Sequence, residues 1–181
     1  MKYLETARRQ RGVALLVALL ILVIVSLMGI TAMKTSMFSS KISTGTQVDA
    51  MSFEGAESAV EDAFGYLYGI NGAEMLSFMN GQIMHRCLTA NGVNLTTCQS
   101  SDRMDSRGLV KAESRIRQKG MRPVDGGQVS MTGTSSITVD YTFDIIGDSE
   151  IEQFEVDDHH LQQALKSARV SSSDFNNIGQ E

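Results

Sequence analysis

The spacing of apolar residues changes along this chain, and each spacing predicts a different element. Residues 13–33 carry no charge, and only Ser26, Gly29 and Thr31 break the apolar run. A helix of that length reaches about 31 Å, close to one hydrocarbon core. From residue 53 the pattern turns amphipathic. Phe53, Ala56, Val60, Ala63, Phe64 and Leu67 recur at helical spacing, with Glu54, Glu57, Ser58, Glu61 and Asp62 on the other face. Gly65, Gly69, Asn71 and Gly72 mark the end of this helix.

Further on the period shortens to two. Val110, Ala112, Ser114 and Ile116 alternate with Lys111, Glu113, Arg115 and Arg117, the pattern of a half-buried strand. Ile137, Val139, Tyr141, Phe143 and Ile145 alternate with Thr138, Asp140, Thr142 and Asp144, the strongest strand pattern in the chain. Residues 150–156 read as a weaker strand returning after Gly147-Asp148, and residues 123–127 (Pro-Val-Asp-Gly-Gly) as a turn. Residues 73–86 suit a short helix broken at Gly81, residues 161–170 a short terminal helix, and Ser171 begins a frayed end. Met28, Met33, Met37, Met51, Met75, Met79 and Met84 are expected to fill packing gaps. The fold class is α+β: a long N-terminal helix on a small antiparallel sheet.

The flanks of the apolar run set its orientation. Lys2, Arg8, Arg9 and Arg11 precede it against Glu5 alone. That bias predicts a single inner-membrane pass with the N-terminus cytoplasmic and the residues after position 33 outside. A secretory signal has a shorter core with an Ala-x-Ala site behind it, whereas Lys34-Thr35-Ser36-Met37-Phe38 follows here. The small residue lies in front, at Gly12 between Arg11 and Val13, where glycine opens the backbone to a protease.

This leader resembles the class III leader of type IV pilins and pseudopilins, which is cut after glycine. Met51-Ser52-Phe53-Glu54-Gly55-Ala56-Glu57-Ser58-Ala59 is similar to the Phe-x-Ala-Ala-Glu-x-Ala segment of PilX-type minor pilins, with Gly55 in place of one alanine. The resemblance ends near residue 70. It implies a leader at residues 1–12, cleavage between Gly12 and Val13 by a prepilin peptidase, and N-methylation of the Val13 amine. It further implies an N-terminal helix over residues 13–70, with 13–33 in the membrane. A periplasmic or extracellular domain, a pilin-like roll, would fill residues 71–181.

Two positions depart from the major-pilin pattern: Val17 stands where those subunits carry glutamate, and Lys34 where they carry a kinking proline. A carboxylate in an apolar core is expensive unless paired, and in major pilins its partner is the terminal amine of a neighbouring subunit. A subunit without it suits the first place in a filament, and resembles PilX and the K-type minor pseudopilins. The resemblance therefore implies a minor pilin that primes a type IV pilus, joins it at or near the tip, and supports pilus biogenesis, twitching motility and adhesion. A minor pseudopilin of a type II secretion system and an uncleaved single-pass membrane protein are the alternatives. Implied partners are other minor pilins, the major pilin, the prepilin peptidase, the inner-membrane assembly platform and a tip adhesin, with the pilus or cell surface as destination.

Charge and chemistry narrow the reading. The formal charge is −5, and the four basic residues and one acidic residue of the leader leave −8 on the rest. That is no footprint for direct nucleic-acid binding. Cys87 and Cys98 are the two cysteines, and an even count in an exported domain reads as a disulfide closing residues 88–97. The alternative is a metal site using His85, Cys87 and Cys98, for which a fourth ligand is not evident. No nucleophile elbow, phosphate loop or His-Glu-x-x-His occurs, so neither an enzyme nor a cofactor is expected. Adjacent His159 and His160 lack metal spacing and belong to a solvated acidic face. The carboxylates between Asp140 and Asp158 form no calcium loop, and Asn94-Leu95-Thr96 is a coincidental sequon.

Overall fold

The computed structural model describes residues 11–71, 74–75, 78, 81–124 and 136–171. Helix α1 spans Arg11–Gly69, 59 residues. The chain's single proline is Pro123, so nothing inside α1 removes a donor or clashes with the preceding turn. Strands follow at Met84–Thr89 (β1), Gly92–Asn94 (β2), Lys111–Pro123 (β3), Ser136–Ile151 (β4) and Val156–Ser171 (β5). They form one antiparallel sheet in the order β2-β1-β3-β4-β5. The fold is thus the expected α+β arrangement. Two compact units meet within α1, one ending at Gln47 and the other beginning at Val48.

In the second unit, the alternation of β4 builds the core. Val139, Tyr141, Phe143 and Ile145 turn to one face and are buried with Ile116 of β3, Ala164 of β5 and Phe78. Val60, Ala63, Leu67 and Ile70 complete that cluster from α1 and the residue beyond it. Phe78 meets Phe143 edge-on, ring centres 5.4 Å apart. Higher up the seam the residues become small. A Cβ on Gly147 would lie 2.5 Å from the Ala56 carbonyl oxygen, and one on Gly55 would lie 2.7 Å from Ser149 Oγ. At Gly147 the helix backbone itself comes so close that only hydrogen fits, and at Gly55 the side chains of Ser149 and Val110 close the space.

Charged groups fix the two ends of this contact. Arg86 of β1 reaches back to Asp62 with Nε donating at 2.6 Å and Nη2 at 3.1 Å, and its guanidinium lies 4.5 Å from the Tyr66 ring centre. At the end of α1, where no basic residue stands in the last turn, Lys166 of β5 supplies the charge. Its Nζ donates to the carbonyls of Leu67, Tyr68 and Ile70 at 2.6, 3.0 and 3.0 Å, satisfying acceptors a helix end leaves open. Just beyond, Asn71 Oδ1 accepts from the Glu74 amide and Glu74 Oε2 from the Asn71 amide, both at 3.0 Å, a capping box for the next turn.

Several expectations are corrected. Residues 161–170 are strand, not helix. They lie within β5, hydrogen-bonded to β4 along its length, and sheet pairing overrides their modest helical propensity. Residues 150–156 hold no separate strand: β4 ends at Ile151, a 3-10 turn covers Glu152–Phe154, and β5 opens at Val156. In the 73–86 segment Glu74, Met75 and Phe78 are helical, Met84 begins β1, and β1 and β2 were not foreseen. Within the 123–127 turn, residues 125–127 lie outside the described residues; of the end expected to fray, Ser171 closes β5 and residues 172–181 lie outside the described residues. Phe53 and Phe64 are exposed at 55% and 46%, because Ser52, Gly55, Ala56 and Ala59 form the close seam and leave large rings at its flank. Gly65 lies inside α1 and does not end it. Met28, Met33 and Met37 are exposed and fill no gap; Met75 is buried, Met51 and Met84 pack at the edges of the core, and Met79 lies outside the described residues.

Candidate functional site

From Gly12 to Gln47 every residue of α1 is exposed. The helix here is long and apolar enough to cross a membrane, and in water the apolar surface of residues 13–33 would be left uncovered. Its hydroxyls are compatible with lipid because they bond backward along the same helix: Ser26 to the Leu22 carbonyl at 2.8 Å and Thr31 to the Met28 carbonyl at 2.8 Å. Gly12 and Val13 lie in the first turn, with open space around Gly12. Val17 is an exposed apolar side chain, and no ionisable group stands between residues 13 and 33. This stretch therefore offers a neighbouring amine no counter-charge.

In the second unit the sheet face turned away from α1 is laced with ion pairs. Arg117 Nη2 and Gln163 Nε2 donate to Asp144 at 3.1 and 2.9 Å, and Lys119 Nζ stands 3.6 Å away. Burial pushes the Asp144 carboxyl up; the two hydrogen bonds and the charges of Lys119 and Arg117 outweigh it and hold the carboxyl below its ordinary value. Its contribution to stability is present above the ordinary carboxylate value and is lost as pH falls through the depressed one. Arg115 Nη2 meets Asp148 at 2.6 Å, and His159 Nδ1 meets the other Asp148 oxygen at 2.6 Å. The histidines face opposite sides of β5, His159 toward Asp148 and His160 toward Glu57 and the Phe53 ring. His159 fits the solvated acidic face; His160 is largely covered.

The hydrogen bond to Asp148 raises the His159 imidazole above its ordinary value, with the charges of Asp148 and Asp157 adding to it. The sign follows: stabilisation by protonated His159 is fully present below about pH 6.5 and fades as pH rises through the raised value. We expect the His159 ring resonances of the full chain in micelles to titrate above pH 6.5. Asp148→Asn should move the midpoint down toward the ordinary value. An unmoved midpoint would show that the carboxylate does not hold the ring.

Cys87 and Cys98 are bonded to each other, with Cα atoms 5.0 Å apart. Cys87 is fully buried on β1. The bond ties β1 to the 95–110 loop, which is also held by carboxylates: Asp105 Oδ1 accepts from the amides of Leu109 and Val110 at 2.8 and 2.9 Å, and Glu113 Oε2 accepts from the Cys98 amide at 3.0 Å. Burial works against ionisation of Asp105, and the backbone donors more than reverse it, so its carboxyl sits below the usual range. With both sulfurs in one bond, the metal alternative loses its thiolates. His85 stays half-buried on β1, and its Nδ1 has no hydrogen-bond partner among the described residues.

Three residues that organise the domain were not singled out from sequence. Gly147 was read only as part of a turn, although glycine inside a strand pattern does signal close backbone approach. Arg86 and Lys166 carried no local signal, since their partners lie far away in sequence.

Comparison with known proteins adds one positive finding. Residues 11–61 match the family model PilX N-terminal, which covers the exposed segment of α1 and the small-residue seam through Val60. No curated protein and no solved structure matches the chain.

Proposed function

We propose, taking the PilX-type N-terminal domain at residues 11–61 as premise, that this chain is a minor subunit of a type IV pilus. The observation that carries the reading is that this domain lies on a helix whose residues 12–47 are all exposed while its continuation packs against a sheet. A subunit of this kind waits in the inner membrane with its N-terminus cytoplasmic and its domain outside, then passes through the assembly platform into a filament. It is a structural protein and not an enzyme. A prepilin peptidase cuts between Gly12 and Val13, and the new Val13 amine is methylated. Its partners are the major pilin, other minor pilins and a tip adhesin.

Val17 supports a place at or near the tip. Stacked copies of this chain would leave each Val13 amine in an apolar layer without a carboxylate, at a cost of several kcal/mol. Placed first, the chain needs no such partner, and its own amine pairs with a glutamate of the next subunit. The role is then to prime assembly and so to support biogenesis, twitching motility and adhesion. Deletion should leave few filaments with normal shafts, and quantitative proteomics of sheared filaments should find the chain in trace amounts. An amount comparable to the major subunit would defeat the tip placement. Mass spectrometry should find Val13 as a methylated N-terminus and Gly12→Val unprocessed; retention of Met1 beside an active prepilin peptidase would defeat the prepilin reading.

A further inference from the structure

The two edges of the sheet differ in a way the pilin reading does not use. Edge strand β2 has three residues, whereas β5 has sixteen. Natural edges are blunted by shortness, proline, bulges or charge. Strand β5 has none of the first three: it contains no proline, and its register against β4 runs unbroken from Val156 to Ser171, while its charges outside Lys166 stand toward its two ends. Among the described residues its outer edge has no neighbour.

Each flank of this edge carries apolar side chains among polar ones. Leu161 and Leu165 share the face away from α1 and are 67% and 59% exposed. On the α1 side Phe53 lies against His160, and Phe64, Leu67, Tyr68 and Ala164 line a slot of about 40 Å³. Charge is divided along the strand, with Asp157 and Asp158 at its start and Arg169 near its end. Lys166 is already engaged with the end of α1.

We propose that the β5 edge accepts an extended strand of another exported protein, antiparallel to β5. That strand is acidic at its N-terminal end, where it passes Arg169. It is basic at its C-terminal end, where it passes Asp157 and Asp158, and apolar between. Backbone hydrogen bonds supply affinity, while Leu161, Leu165 and the aromatic shelf select the side chains. A second copy of this chain does not suit the edge. Antiparallel self-pairing needs a two-fold axis normal to the sheet, which runs the two copies of α1 in opposite directions, whereas chains anchored in one membrane enter from one side. Only this exclusion rests on the pilin reading.

The test uses the full chain in detergent and two synthetic peptides, acetyl-Glu-Glu-Val-Thr-Val-Thr-Val-Thr-Val-Thr-Val-Lys-Lys-amide and its charge-reversed form. The first should bind at least about tenfold more tightly, as expected when complementary charges fix register, and should slow amide exchange within β5. Leu161→Asp with Leu165→Asp, both exposed, should weaken binding while leaving the melting temperature unchanged. Equal affinity for the two peptides, or binding without slowed exchange in β5, would overturn the proposal. Self-association of the full chain that the double variant abolishes would also overturn it, in favour of a second copy.

Discussion

Replacing Gly147 with valine should separate the sheet from its helix. The added Cβ alone would stand 2.5 Å from the Ala56 carbonyl oxygen and 2.6 Å from Val60 Cγ2. The first of these is backbone, held in the ladder of α1, and cannot swing aside. Overpacking of this kind costs about 1–3 kcal/mol, occasionally more. We expect Gly147→Ala near 2 kcal/mol and Gly147→Val at roughly 3 kcal/mol or above, a large share of the 5–15 kcal/mol typical of a folded domain. In thermal unfolding followed by circular dichroism, Gly147→Val should melt lower by about 10 °C or more. Gly65→Ala is the control. It makes the same change in an exposed position of α1 with nothing within 4 Å, and should stabilise by roughly 0.5–1 kcal/mol. Equal effects at the two glycines would refute the close-seam account.

Loss of the disulfide should be comparable in size. Cys87 and Cys98 are separated by 11 positions, and closing such a ring limits the unfolded chain by about 3 kcal/mol. Cys87→Ala with Cys98→Ala should therefore lower the melting temperature by about 10 °C, without burying a hydroxyl as serine would. Hydrogen exchange should show where the loss falls: amides of residues 95–110 should exchange faster, while those of β4 hold. The Leu109 and Val110 amides retain Asp105, so the loop loosens first near Cys98. A double variant that melts with the parent would show that the loop carboxylates suffice.

Patterns local in sequence were legible, and those that depend on distant partners were not. The apolar run, the helix beyond it and the alternation of β3 and β4 all survive in the structure, because one buried face imposes its period on each. Strand β5 was misread as a helix because only Ala164 of its sixteen residues is buried, among those with a described side chain. An edge strand with a solvated flank carries little alternation. The same cause hid β2, whose three residues are all exposed, whereas β1 lies inside the sheet and was hidden because its two buried residues, Arg86 and Cys87, are adjacent and set no alternation. Phe53 and Phe64 were assigned inward on helical spacing, but the seam selected small residues there. At the candidate site, the cysteine pairing could be read from an even count in an exported domain, whereas the Asp144 and Asp148 networks draw on strands joined only after folding.

The cap on α1 also bears on the order in which the chain can fold. Lys166 lies 99 positions beyond the carbonyl of Leu67 that it neutralises. Contacts of such sequence separation form late, because the intervening loop must close before they contribute. Until β5 has been made, the end of α1 stays open and Phe143 lacks Ala164 beside it. The early-made helix thus depends for its last turn on a strand made 99 positions later, and the domain reaches full cooperativity only once that strand has paired.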